Sequence, residues 1–257
     1  MNGAFYVGAT GLQAQQRALD VIANNIANVN TQGFKRSEVH FSELVSRPET
    51  SDARASEIGA VPEALSGVQA STAVRILEQG KLRETSNPFD LAISGDGFIE
   101  VLGPSGETWL WRGGSVRPNA EGLLQTQDGL LLKAMIEIPQ ESLALEIDRE
   151  GIVRSLAPNS STLDDLGSIT LAMPRDPQMI EAIGDGYFRV PEDGDLETLI
   201  AGDDGGVFVQ GSIETSNVEL TTEMVTLLLM QRAYAANAQV VQAGDQLMSI
   251  ANNLRRG

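Results

Sequence analysis

The sequence predicts an α+β fold: a discontinuous, coiled-coil-like helical domain built from the two chain ends, with a mostly β domain inserted between them. Three observations predict it. Apolar residues recur at a helical period near both termini. Between them the period drops to two, in short apolar runs separated by turn residues such as Gly103-Pro104-Ser105-Gly106 and Asp203-Asp204-Gly205-Gly206. Charge follows the same division. The 257-residue chain carries −17, yet residues 1–47 carry +1, residues 212–257 carry −1, and the middle holds the whole −17. Either the middle is a solvated domain, or the ends are built to pack against copies of themselves, where unbalanced charge would repel.

Residues 1–33 form the first half of the helical stem. Leu12, Leu19, Ile22, Ile26 and Val29 follow one another at 7, 3, 4 and 3 residues, which keeps them on one face. Thr10 is a candidate N-cap, with an earlier start left open. Gly33 tolerates the left-handed conformation and is placed to stop the helix. Asn24, Asn25, Asn28 and Asn30 crowd the end of this segment, although Asn is a weak helix former. They serve either as local caps or as amide groups that contact other subunits without adding charge.

Residues 34–79 read as an extended linker region. Within it, 46–72 is rich in Ser, Ala, Glu and Pro and lacks periodicity. Fixing backbone costs roughly 1–2 kcal/mol per residue, so this stretch is expected to order only where neighbours supply contacts. Residues 80–211 hold the β domain, with strands expected at 91–95, 97–102, 108–111, 129–134, 145–147, 151–154, 168–171, 187–190 and 206–210.

Residues 212–257 form the second stem helix. One apolar seam contains Leu220, Met224, Leu227, Tyr234, Ala238, Val241 and Met248, with Gln231 and Asp245 as polar interruptions. A second contains Met230, Ala233, Val240, Gly244, Leu247, Ala251 and Leu254. One partner helix covers one seam, so the other needs the β domain or another subunit.

Composition narrows the chemistry. With no Cys there are no disulfides, thiolate metal sites or cysteine nucleophiles. The lone His40 rules out a multi-histidine metal site. The acidic balance disfavours nucleic acid. No apolar run reaches the roughly 18 residues a membrane-spanning helix needs. Met1 to Thr10 lacks a secretory-type signal, so either a cytoplasmic location or export by another route is expected. Pattern matches also break down. Thr198 stands where a calcium loop needs Gly, Glu100 where a dinucleotide fingerprint needs its third Gly, and Leu82 where a phosphate loop needs a hydroxyl. No catalytic residue, cofactor or metal is expected.

Three stretches carry a family resemblance. They are Asp20 to Lys35, containing Gly33-Phe34-Lys35; Asn87 to Phe98, containing Asp90, Gly95, Gly97 and Phe98; and Gly211 to Val218, containing Ser216-Asn217-Val218, followed by Gln231 to Asn237 with Arg232. In this order they resemble the motifs of the bacterial flagellar rod and hook protein family. Thr10 to Gln16, Gly33 to Arg36 and Phe41 to Leu44 are closer to the distal rod type than to the larger proximal rod type, while Trp109 to Ser115 departs from the usual family pattern.

The resemblance implies a structural subunit of the flagellar basal body, not an enzyme, whose terminal helices pair and stack into a tube. It implies an assembly interface on Leu12, Leu19, Ile22, Asn24, Asn25, Ile26 and Asn28 of the first helix. On the second helix the interface falls on Leu220, Met224, Leu227, Gln231, Tyr234, Ala238, Val241 and Met248. The implied partners are copies of itself, neighbouring rod and hook proteins, ring proteins around the rod, and the flagellar type III export machinery, with no cleaved signal. The alternative from another class is a secreted β-domain enzyme or carbohydrate-binding module.

Overall fold

The structure is a computed structural model that describes residues 2–45, 66–74, 78–139, 142, 144–157, 162–176, 179–191 and 195–254. It divides into two units. One comprises 1–26, 37–73 and 220–257, and the other comprises 27–36 and 74–219.

The first unit contains helix α1 (Asn2–Ala27), a sheet of strands β1 (Ser37–Val45) and β2 (Ser66–Val74), and helix α2 (Leu220–Leu254). The helices run antiparallel, since Gly8 lies against Val241, Gly11 against Asn237 and Asn25 against Glu223. Glycine at position 8 permits the approach: a methyl there would sit 2.6 Å from Val241 Cγ2. Ala14, Ala18 and Ile22 are buried at a helical spacing on α1. The Arg17 guanidinium donates to the Ala70 carbonyl at 3.2 Å, tying β2 to α1.

Several boundaries differ from expectation. Helix α1 begins at Asn2, so Thr10 lies inside it and its hydroxyl donates to the Val7 carbonyl at 3.0 Å. The helix stops at Ala27, six residues before Gly33. Asn28 turns the chain there, its carbonyl accepting the Thr31 N–H and its side-chain oxygen the Thr31 hydroxyl. Gly33 does take the left-handed conformation, at φ 65°, but in the turn beyond the helix. The extended region 34–79 carries the paired strands β1 and β2, which satisfy each other's backbone groups. The expectation of ordering on assembly falls largely on 46–65, outside the described residues.

The second unit is built from antiparallel sheets. The largest orders six strands as Glu181–Gly184 (β13), Tyr187–Arg189 (β14), Thr108–Trp111 (β6), Phe98–Leu102 (β5), Leu171–Pro174 (β12) and Leu196–Leu199 (β15). A four-stranded sheet orders Val207–Gln210 (β16), Asp90–Ser94 (β4), Gly113–Pro118 (β7) and Leu124–Thr126 (β8). A third holds Ala144–Ile147 (β9), Ile152–Leu156 (β10) and Leu163–Ser168 (β11). A fourth pairs Leu82–Glu84 (β3) with Ser212–Glu214 (β17).

Alternation along the strands explains the two cores. In the six-stranded sheet, Ile99, Val101, Trp111, Leu171 and Tyr187 point into one cluster with Leu91, Leu124, Val153 and Phe208. Their strand neighbours Phe98, Leu110, Ala172 and Phe188 point to the other face and form a second cluster. Runs such as Trp109-Leu110-Trp111 are therefore apolar throughout because both faces are covered. Phe98 and Phe188 meet edge to face at 5.6 Å.

Three sequence expectations fail in this unit, the first being the strand at 168–171, where Ile169 and Thr170 instead connect the end of β11 to the start of β12. Residues 129–134 make isolated bridges and no strand, because Leu130, Leu131 and Leu132 divide their backbone bonds among Thr126, Leu102 and Leu124. Residues 212–214 form β17, not the start of the second helix, and α2 begins at Leu220. Pairing with β3, more than 100 residues away in sequence, decides that segment.

Candidate assembly surface and buried clasp

Along α2 a stripe of Glu223, Leu227, Met230, Ala233, Asn237, Val241 and Gly244 is buried or half-buried, and Glu223, Asn237 and Val241 in it lie against α1. It runs between the two predicted seams and takes members of both. About a third of a turn around the helix lies a second row, Val225, Leu229, Val240, Ile250 and Leu254, which is 53%, 58%, 69%, 56% and 79% exposed. Small residues such as Ala236 and Ala243 separate these side chains along the row.

The predicted interface residues fall into two groups. Leu220, Met224, Gln231, Tyr234 and Asn24 are exposed. Leu12, Leu19, Ile26, Asn28, Leu227, Ala238 and Val241 are half-buried, and Ile22 and Asn25 are buried. The side chain of Met248 lies outside those described.

Asn25 is used inside the chain. Its amide donates to the Ser37 carbonyl at 2.9 Å and its oxygen accepts the Ser37 N–H at 3.0 Å, so it pairs with that backbone as a strand would. It also contacts Glu223 Oε2 at 3.4 Å. Glu223 lies in the first turn of α2, where the helix dipole favours a carboxylate, which helps to offset its burial.

In the second unit the sequence motifs converge on one buried node. Glu214 accepts from Lys35 Nζ at 2.5 Å, from Arg112 Nε at 3.0 Å and from the Gly80 N–H at 2.7 Å. The three charged side chains are at most 3% exposed. Lys35 also donates to the Glu78 carbonyl. Arg112 donates to the carbonyls of Gly95 and Gly97 and lies 5.4 Å from the Phe98 ring centroid. Burial, and then repulsion from Arg112, push the Lys35 amine below its ordinary range against the pull of Glu214.

The clasp extends along the chain on both sides. The Gly33 N–H donates to the Glu214 carbonyl, Asn217 Oδ1 accepts the Arg36 N–H, and the Asn217 N–H donates to the Phe34 carbonyl. Ser216 and Val218 are buried beside it. Asp90 organises a separate turn, accepting from Thr85, Asn87 and Ser115. On α2, Arg232 is exposed and Asn237 half-buried.

The sequence motifs single out Lys35 but neither Arg112 nor Glu214. Their signal was present: each is a lone charge set against Gly or apolar residues, in Trp109-Leu110-Trp111-Arg112-Gly113 and Gly211-Ser212-Ile213-Glu214.

A cavity of about 390 Å3 lies between Pro88, Phe89, Pro118, Ile138, Pro139 and Leu145, and among the described residues its lining carries no titratable side chain. Among the described residues, no helix is long and apolar enough to cross a membrane.

Comparison with known proteins matches this layout. A family profile described as flagella basal body rod protein covers residues 5–35. One for the flagellar hook protein FlgE/F/G D1 domain covers 92–155, and one for the flagellar basal body rod FlgEFG protein C-terminal region covers 209–254. Proteins named flagellar basal-body rod protein FlgG align along nearly their full length. The one from Caulobacter vibrioides is 37% identical over 98% of this chain and 99% of its own. That from Borreliella burgdorferi is 35% identical over 100% of both chains. That from Bacillus subtilis is 30% identical over 98% of this chain and 99% of its own. Similar to these relatives from end to end, the chain belongs to the family of flagellar basal-body rod proteins.

Proposed function

We propose that the chain is a structural subunit of the bacterial flagellar rod, of the distal type. Its terminal helices pack against copies of itself and against neighbouring rod and hook subunits, building a tubular shaft that transmits torque. The observation that carries this reading is the exposed row Val225, Leu229, Val240, Ile250 and Leu254 on α2. Covering each such side chain contributes roughly 1.5–3 kcal/mol, and an isolated subunit leaves that gain unrealised. The neutral charge of both chain ends fits the same role, because like copies can stack without repulsion. Export through the flagellar type III apparatus without a cleaved signal, passage across the periplasm and contact with the surrounding rings belong to this reading. The work is mechanical and assigns no catalytic residue.

The test replaces Leu229 or Val240 with Asp in the full chain. Both variants should be lost from isolated basal bodies and abolish motility, while the tryptophan fluorescence of the second unit stays native. Normal incorporation of both variants would overturn the reading.

A further inference from the structure

Each stem helix leaves one charged side chain on the face turned away from its partner helix. On α1 it is Asp20, nine residues from Gly11, and on α2 it is Arg232, nine residues from both Glu223 and Val241. Nine residues make two and a half turns, so each charge stands opposite the contact between the helices. Both side chains are exposed. Among the described residues Arg232 joins no ion pair, and Asp20 accepts the Gln16 amide at 3.3 Å, one turn away on its own helix.

The other helix charges are engaged or aimed elsewhere. Arg17 donates to Ala70, and Glu223 is buried against Asn25. Asp245 is thirteen residues from Arg232, more than a third of a turn around the helix.

The surroundings are complementary too. Arg232 stands in the exposed apolar row, between Leu229 and Ala236. Asp20 stands among exposed small and amide side chains, including Gln13, Ala23 and Asn24, which let a neighbouring helix approach closely. A guanidinium enclosed in an apolar interface needs a carboxylate partner. Asp20 is the one acid within α1.

We propose that the outer face of α2 docks on the outer face of α1 in a second copy of this chain, with Arg232 of one copy paired to Asp20 of the next. The proposal rests on the rod-subunit reading and adds to it the register of helix packing. The two faces lie on opposite sides of one helix pair, so the contact is head to tail. Such a contact repeats from copy to copy and does not close as an isologous dimer. The apolar row supplies the affinity, and the charge pair selects the register.

Two experiments on the full chain test it. In cells lacking their own copy, Asp20→Arg and Arg232→Asp should each lower incorporation into isolated basal bodies by about ten-fold or more, and the double reversal should restore it to within about three-fold. Normal incorporation of either single variant overturns the pairing. Failure of the double variant also overturns it, while the rod reading stands or falls separately on Leu229→Asp and Val240→Asp. The native chain has no Cys. Asp20→Cys combined with Arg232→Cys should therefore give a disulfide-linked ladder on oxidation of basal bodies. Monomer alone overturns the proposal.

Discussion

Replacing Glu214 with Gln should destabilise the second unit far more than replacing Lys35 with Met. Glu214 is the single carboxylate between two buried cations. Neutralising it leaves Lys35 and Arg112, whose side chains are 0% and 3% exposed, without the carboxylate that both of them touch. Breaking a buried ion pair in this way costs about 3–5 kcal/mol, a large part of the ~5–15 kcal/mol typical of a whole domain. Lys35→Met has a different balance. It removes the surplus cation and leaves Arg112 and Glu214 matched, so its cost should be about 1 kcal/mol or less.

The assay is urea unfolding followed by tryptophan fluorescence. Both tryptophans, Trp109 and Trp111, lie on β6 of the second unit, so the signal reports that unit. At a slope of about 2 kcal/mol per molar urea, Glu214→Gln should lower the midpoint by about 2 M. Equal midpoints for the two variants, or a Glu214→Gln cost below about 1 kcal/mol, would refute the reasoning.

A pH series adds a sign. The folded state lowers the Lys35 pKa, so the unfolded chain binds more protons between that lowered value and 10.5. Stability therefore rises with pH through that window, and the native chain should gain on Lys35→Met as pH approaches 10.5.

Other outcomes follow from single contacts. Asn25→Ala removes both bonds to the Ser37 backbone and leaves its half-buried N–H and carbonyl unmatched, at about 1 kcal/mol or more; faster hydrogen exchange of the Ser37 N–H should report it, and unchanged exchange would count against the strand-like role of Asn25. Tyr187 donates to Asp128 at 2.7 Å, and burial raises its pKa above 10.0. The folded state then holds its proton after the unfolded chain has lost it, so stability falls above pH 10. Tyr187→Phe should lose about 1 kcal/mol near neutral pH and show less of this alkaline decline; an identical decline would contradict it.

The sequence disclosed what repeats and concealed what pairs at long range. The helices were legible because their apolar spacing is local. Strands β4, β5, β6, β9, β14 and β16 were legible because apolar runs lie between turn residues. Strand β7 begins Gly113-Gly114, which carries little strand preference, and β3 and β13 are exposed along their length, so none of the three shows an apolar run. Residues 212–214 contain no helix breaker, and only their partners in β3 make them a strand.

The candidate sites divide the same way. The two predicted seams conveyed that α2 has more apolar surface than one helix covers. The actual contact runs between them, set by Gly8, Gly11 and Asn25 on the other helix. Lys35 stood out through its motif. Arg112 and Glu214 read as ordinary solvated charges because the partners that bury them lie 102 and 179 residues away.

The clasp also sets a load path. Residues 33–36 and 214–217, which lie next to two of the points where the chain leaves the second unit, are bonded to each other through Gly33, Phe34, Arg36, Glu214 and Asn217. Tension applied to these two segments is resisted first in those few bonds and the Lys35–Glu214–Arg112 node. The sheets beyond are a side branch, spared strain until the clasp opens. Their loops can change length at a cost of about 0.6 kcal/mol per doubling, with the spacing of the two segments unaltered. A subunit wired this way can vary the sheets of its second unit while the clasp stays constant.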